Sequence, residues 1–323
     1  METITLSRDH SVPAAELSYD RTVSRDLVHR WSLSEVFLTD HRNIDDRFFR
    51  AAAQLPLSHS YYCDHLGGAA LHDPLLILEA CRQSVTCAAH EHQNVPRSTT
   101  FMVTAWDLEI ADCHTLRRGE RPGELGILGE VTAREERGGR LRRLAFAMEI
   151  VLDGADLGTL TMDVTSTPTD QYHALRRMQR GSEVPTAFTL GGEPVGVPAP
   201  AADTARLDPR NAVLDDLVVR DGVLSAHLSP RTYRNRSMYD HPYDHVPAMV
   251  FSEAARQCAQ ILTGRDTEGR LIRSLSGDFR KFAELDDTVR LTARLEDTGD
   301  GPACRMDAEQ NGAAVASVLI RLG

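Results

Sequence analysis

The sequence of 323 residues predicts an α+β fold in which one unit is used twice. Two observations carry this: each half contains one strongly apolar helix pattern, and the rest of each half reads mostly as antiparallel strands. The helix candidates are DPLLILEACRQSVTCAAHEH (73–92) and VPAMVFSEAARQCAQILTG (246–264). Superposed at an offset of 174, they place Glu79 on Glu253, Ala80 on Ala254, Arg82 on Arg256 and Gln83 on Gln257. An E-A-x-R-Q shared in one register marks an internal duplication.

The elements follow in order. Strands are expected at 36–40, 99–110, 124–135 and 142–154, the last alternating at Phe146, Met148, Ile150 and Leu152. A second set is expected at 215–229, 287–297 and 313–323, with Val289, Leu291, Ala293 and Leu295 on one face. Between the sets, residues 181–209 hold five prolines and almost no periodicity, which reads as a linker. The chain thus divides into an N-terminal tail (1–26), a first domain (27–180), this linker and a second domain (210–323).

Composition excludes several classes. Lys plus Arg number 36 against 47 Asp plus Glu, and the net charge of −11 argues against a nucleic-acid partner. Nothing approaches the roughly 18 consecutive apolar residues of a membrane helix. The opening METITLSRDHSVPAAE lacks a signal-peptide pattern, so a cytoplasmic location is expected. The six cysteines form no C-x-x-C, so neither disulfides nor a thiolate metal site is expected. His241-x-x-x-His245 with Asp240 and Asp244 has ligand-type residues, but Pro242 argues against the helix that would aim them, and no metal or other cofactor is expected.

The helix glutamates are the unusual feature. Glu79 and Glu253 sit in helices apolar almost all round, which other structure normally wraps, and a buried carboxylate is costly unless paired. Glu79 with Arg82, and Glu253 with Arg256, could be ordinary surface i,i+3 pairs; alternatively the arginines hold a substrate phosphate or carboxylate in a pocket. Asp64-His65 lies just ahead of the first helix and Asp240-His241 just ahead of the second. A histidine brought to a glutamate makes an acid–base pair suited to neutral pH. No G-x-S-x-G occurs, and Cys81 and Cys258 lie on apolar helix faces, so no Ser or Cys nucleophile is expected.

At these residues the sequence resembles the hotdog superfamily, in which a curled antiparallel sheet wraps one central helix. Dehydratases of that fold carry a His followed 14 residues later by a Glu in an E-A-x-x-Q helix, and His65, Glu79, Ala80 and Gln83 keep that spacing. In length, duplication and the paired signatures DHLGGAALHDPLLILEACRQ and DHPYDHVPAMVFSEAARQ, residues 27–323 resemble more specifically the A-factor biosynthesis hotdog family. The resemblance implies a tandem double hotdog, monomeric or homodimeric. It implies an acyltransferase that moves a β-ketoacyl chain from an acyl carrier protein to a hydroxyl of dihydroxyacetone phosphate, toward a γ-butyrolactone signal. By analogy with two-fold hotdog dimers, His65 is expected near Glu253, and His241 near Glu79.

The second-repeat helix is the favoured site: Glu253 as base or orienter, Arg256 on phosphate, Gln257 beside them, and Arg280 or Lys281 adding charge. Arg82 is its counterpart in the first repeat. The candidate carrier-docking clusters are Arg117, Arg118 and Arg121; Arg140, Arg142 and Arg143; and Arg176, Arg177 and Arg180. A hotdog thioesterase or dehydratase, or a non-catalytic acyl-binding regulator, are the alternatives.

Overall fold

The computed structural model describes residues 17–65, 71–191, 194–264, 272–298 and 301–322; residues 1–16 of the expected N-terminal tail lie outside them. The first half runs β1 (Leu38–Asn43), β2 (Phe48–Leu55), α1 (Pro74–Glu91), β3 (Thr99–Ile110), β4 (Gly123–Arg137), β5 (Arg140–Leu152), β6 (Ala155–Pro168) and α2 (Thr169–Arg180). The second runs β7 (Leu214–Arg220), β8 (Val223–Leu228), α3 (Ala248–Thr263), β9 (Ile272–Phe279), β10 (Arg290–Asp297), β11 (Pro302–Gln310) and β12 (Ala313–Leu322).

These strands form one continuous antiparallel sheet in the order β1-β2-β4-β5-β6-β3-β9-β12-β11-β10-β8-β7. Traced inward from either edge, the two halves have the same order. They meet where β3 pairs with β9, from Ala105 opposite Asp278 to Glu109 opposite Ser274. Each half therefore curls around its own helix while the sheet remains unbroken across the junction.

The helices are buried to an unusual degree. Between Pro74 and His90 of α1 every residue is buried except Arg82, and between Val250 and Ala259 of α3 every residue is buried except Arg256. Leu75, Leu76, Ile77 and Leu78 are fully inaccessible, each side chain contributing roughly 1.5–3 kcal/mol of apolar burial. The arginines leave the core where the glutamates one turn earlier do not.

Two differences from the sequence reading have local causes. The expected strand 215–229 is broken into β7 and β8 because Asp221 and Gly222 adopt φ of 50° and 76°, the left-handed pair of a tight hairpin turn. The expected linker is anchored at points along its described residues: Ala187, Ala199, Thr204 and Arg206 are buried, and Ala199 N donates to Leu214 O at 2.8 Å, while Val195, Val197 and Leu207 are exposed. A proline-rich, aperiodic segment can be ordered by tertiary contacts, and Arg206 supplies the strongest of them.

Candidate functional site

Two mirrored centres are built around the helix glutamates. In the first, the wholly buried Glu79 carboxylate accepts from Arg30 Nη2 at 2.5 Å, Arg82 Nε and Nη2 at 2.8 Å, and Gln83 Nε2 at 2.7 Å. Gln83 also donates to Glu35 O at 2.7 Å and accepts from Phe37 N at 2.9 Å, which fixes its amide. In the second, Glu253 accepts from Arg206 Nε at 3.0 Å and the Tyr61 hydroxyl at 3.0 Å, and also from Arg256 and Gln257. Gln257 donates to Asn211 O at 2.8 Å and accepts from Val213 N at 2.9 Å. Arg206 thus stands to Glu253 as Arg30 stands to Glu79.

Both carboxylates are ionised. Burial alone would raise them, but Arg30 and Arg82 outweigh it and hold Glu79 at about 2, while Arg206 and Arg256 hold Glu253 below its ordinary value. Sequence reasoning offered Glu253 as base or orienter. A carboxylate bonded to two guanidiniums and an amide is weakly basic, which favours the orienting task.

Each histidine sits in the centre built on the other repeat's helix. Asp64, preceding His65, accepts from Asp208 N at 3.1 Å and Asn211 Nδ2 at 2.7 Å, and His65 Nε2 lies 3.4 Å from Arg256 Nη1. Asp240 accepts from Trp31 N at 2.6 Å and Ser32 N at 3.0 Å, next to Arg30. His241 Nδ1 is 3.6 Å from Asp240 Oδ2. Burial lowers the His241 pKa, and Arg30 and Arg82 lower it further against the pull of Asp240. The imidazole is neutral near pH 7.

The symmetry fails at the helix caps. α1 begins at Asp73, whose carboxylate caps Leu75 N at 2.9 Å, takes two bonds from Arg256 Nη1 at 3.0 and 2.9 Å, and lies 2.9 Å from His65 Nε2. α3 begins at Pro247, which has no acceptor, and no side chain caps it. In the second centre, Arg206 and Arg256 are therefore balanced by Glu253 and Asp73. In the first, no carboxylate stands where Asp73 does: Arg82 pairs with Glu79, which it shares with Arg30, and Asp240 lies near Arg30.

The first centre opens onto space. A cavity of about 1200 Å³ is lined by Arg30, Arg82, His241, Arg280 and Lys281, by the acidic Asp26, Asp244 and Glu284, and by Pro247 and Ala248 of the α3 start. Its apolar walls come from Phe101, Val103, Trp106, Val250, Phe251 and Phe279. Among the described residues, Glu253, Arg256 and His65 do not line it. Arg280 and Lys281, expected with Arg256, line the cavity that Arg82 lines and Arg256 does not, and Arg280 Nε donates to Asp278 Oδ2 at 2.7 Å.

The site residues that sequence reasoning missed are Arg30, Arg206 and Asp73. Arg30 and Arg206 lie 49 and 47 residues from the glutamates they bind, too far for a local pattern. Of the candidate docking clusters, Arg176 and Arg180 bind Asp244, Glu284 and Asp286, tying α2 to the second half, and Arg143 binds Glu135 and Asp163. Arg117 and Arg121 remain exposed.

Two curled half-sheets, each around a buried helix and joined edge to edge, define a tandem double-hotdog protein. Comparison with known proteins narrows this. The model of the A-factor biosynthesis hotdog domain matches residues 13–168 and 199–322, and the chain belongs to that family. A relative from Streptomyces virginiae, named 2-oxo-3-(phosphooxy)propyl 3-oxoalkanoate synthase, is 30% identical over 313 residues, covering 93% of this chain and 97% of its own length. A relative of the same name from Streptomyces coelicolor is 30% identical, covering 90% and 88%. Among solved structures, an acyl-ACP thioesterase from Bacteroides thetaiotaomicron is similar over 85% of this chain and 98% of its own, with 10% identity and a TM-score of 0.45. No helix among the described residues is long and apolar enough to cross a membrane.

Proposed function

We propose that this protein is a 2-oxo-3-(phosphooxy)propyl 3-oxoalkanoate synthase, an acyltransferase in the biosynthesis of a γ-butyrolactone-type signal. It moves a 3-oxoacyl group from a carrier-protein thioester to the free hydroxyl of dihydroxyacetone phosphate in the cytoplasm. The names of its relatives support the reaction, and Arg82, which lines the cavity and has no counterpart of Asp73 beside it, supports its location. A single cavity presents both cationic side chains suited to a phosphate and apolar side chains suited to an acyl chain.

The chemistry assigns the first repeat's centre rather than the second. Arg82, preset by Glu79, binds the phosphate together with Arg280 and Lys281. His241, neutral and backed by Asp240, takes the proton of the attacking hydroxyl. As the C–O bond forms, the thioester oxygen gains charge beside the uncapped first turn of α3, whose backbone N–H groups have no side-chain acceptor. The C–S bond then breaks, and the proton on His241 passes to the departing thiolate. Glu253, Arg256, Gln257 and His65 form a balanced structural centre.

The test is product analysis by mass spectrometry, from a defined 3-oxoacyl thioester with and without dihydroxyacetone phosphate. The phosphorylated ester should form only with the triose. Free 3-oxo acid at the same rate in both mixtures would identify a thioesterase instead.

A further inference from the structure

We propose that His29 is the residue that selects the acyl acceptor, by accepting the hydrogen bond of its free hydroxyl. This rests on the synthase reading of the cavity and adds a residue that no sequence motif marks. His29 lines the same cavity as Arg82 and His241, within electrostatic reach of both.

The hydrogen bonds around His29 fix its tautomer. His90 Nδ1 lies 2.8 Å from Val95 O, a carbonyl that can only accept, so that nitrogen carries the proton. His90 Nε2 is then an acceptor, and 2.8 Å away it receives the proton of His29 Nε2. His29 Nδ1 is left with a lone pair. The ring is held in this setting, stacked on Phe101 with centroids 5.7 Å apart. Burial, followed by the fields of His90, Arg82, His241 and Arg30, lowers its pKa to about 3, so the imidazole stays neutral and able to accept.

The duplication supplies an internal comparison. His29 and Ala205 precede Arg30 and Arg206, the matched partners of the two glutamates, and both adopt left-handed backbone, with φ of 52° and 55°. That turn aims the following arginine, and alanine performs it in the centre with balanced charge. An imidazole stands at this position in the centre that faces the cavity. The backbone geometry accounts for the turn in both repeats but does not account for the side chain, whereas a ligand hydroxyl does.

A phosphate ester with a free hydroxyl meets Arg82 and His29 at once: in the ground-state complex the hydroxyl donates its proton to His29 Nδ1, and for attack it rotates to present that same proton to His241. His29→Ala reproduces a backbone already occupied by alanine at 205, so the turn should form and the protein should fold, with the unfolding temperature near neutral pH changed only by loss of the His90 hydrogen bond and the Phe101 stacking. Steady-state kinetics should then show the KM for dihydroxyacetone phosphate raised about tenfold or more, with the KM for the thioester within about twofold. Acetol phosphate, the same molecule without the free hydroxyl, should inhibit the unaltered protein and His29→Ala with equal Ki. If the unaltered protein forms no triose ester, the synthase reading itself falls. If it forms ester but His29→Ala keeps the KM for the triose, or weakens acetol phosphate as much as dihydroxyacetone phosphate, the role of His29 is overturned while that reading stands.

Discussion

Arg82 and Arg256 hold one position in two copies of a helix, are 17% and 15% exposed, and yet do different work. The difference lies in partners: Arg256 has Glu253 and Asp73, while Arg82 has Glu79 alone and shares it with Arg30. The glutamates are chiefly structural. Glu79→Gln leaves two guanidiniums without their buried counter-charge and should cost about 3–5 kcal/mol in denaturant unfolding, whatever it does to activity. Acid stability follows from the shifted groups. The Glu79 pKa falls from 4.5 to about 2 on folding, so its contribution is present above pH 4.5 and lost as pH falls toward about 2. His29, lowered from 6.5 to about 3, favours the folded state above pH 6.5 and loses that contribution on acidification through the same sense of linkage. His29→Ala should therefore flatten the dependence of unfolding free energy on pH between about 6.5 and 3. For activity, kcat/KM for the triose should fall on an acid limb whose midpoint lies below 6.5, because His241 must be neutral and burial and Arg30 lower its pKa.

Among the elements, the N-caps of α1 and α3 decide which centre is open. Pro247→Asp would put an acceptor where α1 has Asp73. It should stabilise the protein by about 0.5–2 kcal/mol through a new cap while giving Arg82 a second carboxylate to compete with a bound phosphate. The KM for dihydroxyacetone phosphate should rise even as the melting temperature does, a combination that general damage does not produce. Gly277 seats the apolar end of the cavity, since a Cβ there would lie 2.6 Å from Trp106 Nε1 and 2.8 Å from Phe279 Cζ. Gly277→Ala should cost about 1–3 kcal/mol by overpacking, read in thermal unfolding. The helices and their glutamates were legible because duplication presents the same E-A-x-R-Q twice. Arg30, Arg206 and Asp73 were not, since their roles depend on which chain segments the sheet brings to the helix. The His29-Arg30 and Ala205-Arg206 pairs show that extending the repeat upstream would have found the two missing arginines.

On the scale of the whole molecule, the proposed reading has one duplicated centre carry the frame and the other the chemistry. A sheet continuous through β3 and β9 brings Arg280 and Lys281, which follow β9 of the second repeat, to the cavity that the first repeat's Arg82 lines. The α+β class and the repeat could be read from periodicity alone, but the functional inequality of the halves could not, because it turns on one aspartate against one proline at a helix start. Nor could the packing of 181–209, whose order comes from Arg206 reaching Glu253. The most direct test compares Arg82→Ala with Arg256→Ala in the same transfer assay, with the folded fraction measured for each. Removing Arg82 should raise the KM for dihydroxyacetone phosphate about a hundredfold, the loss of more than one charge-assisted hydrogen bond, while removing Arg256 should lower stability and leave kcat/KM of the folded protein within a few fold. Loss of transfer on removing Arg256, with Arg82 dispensable, would contradict the account.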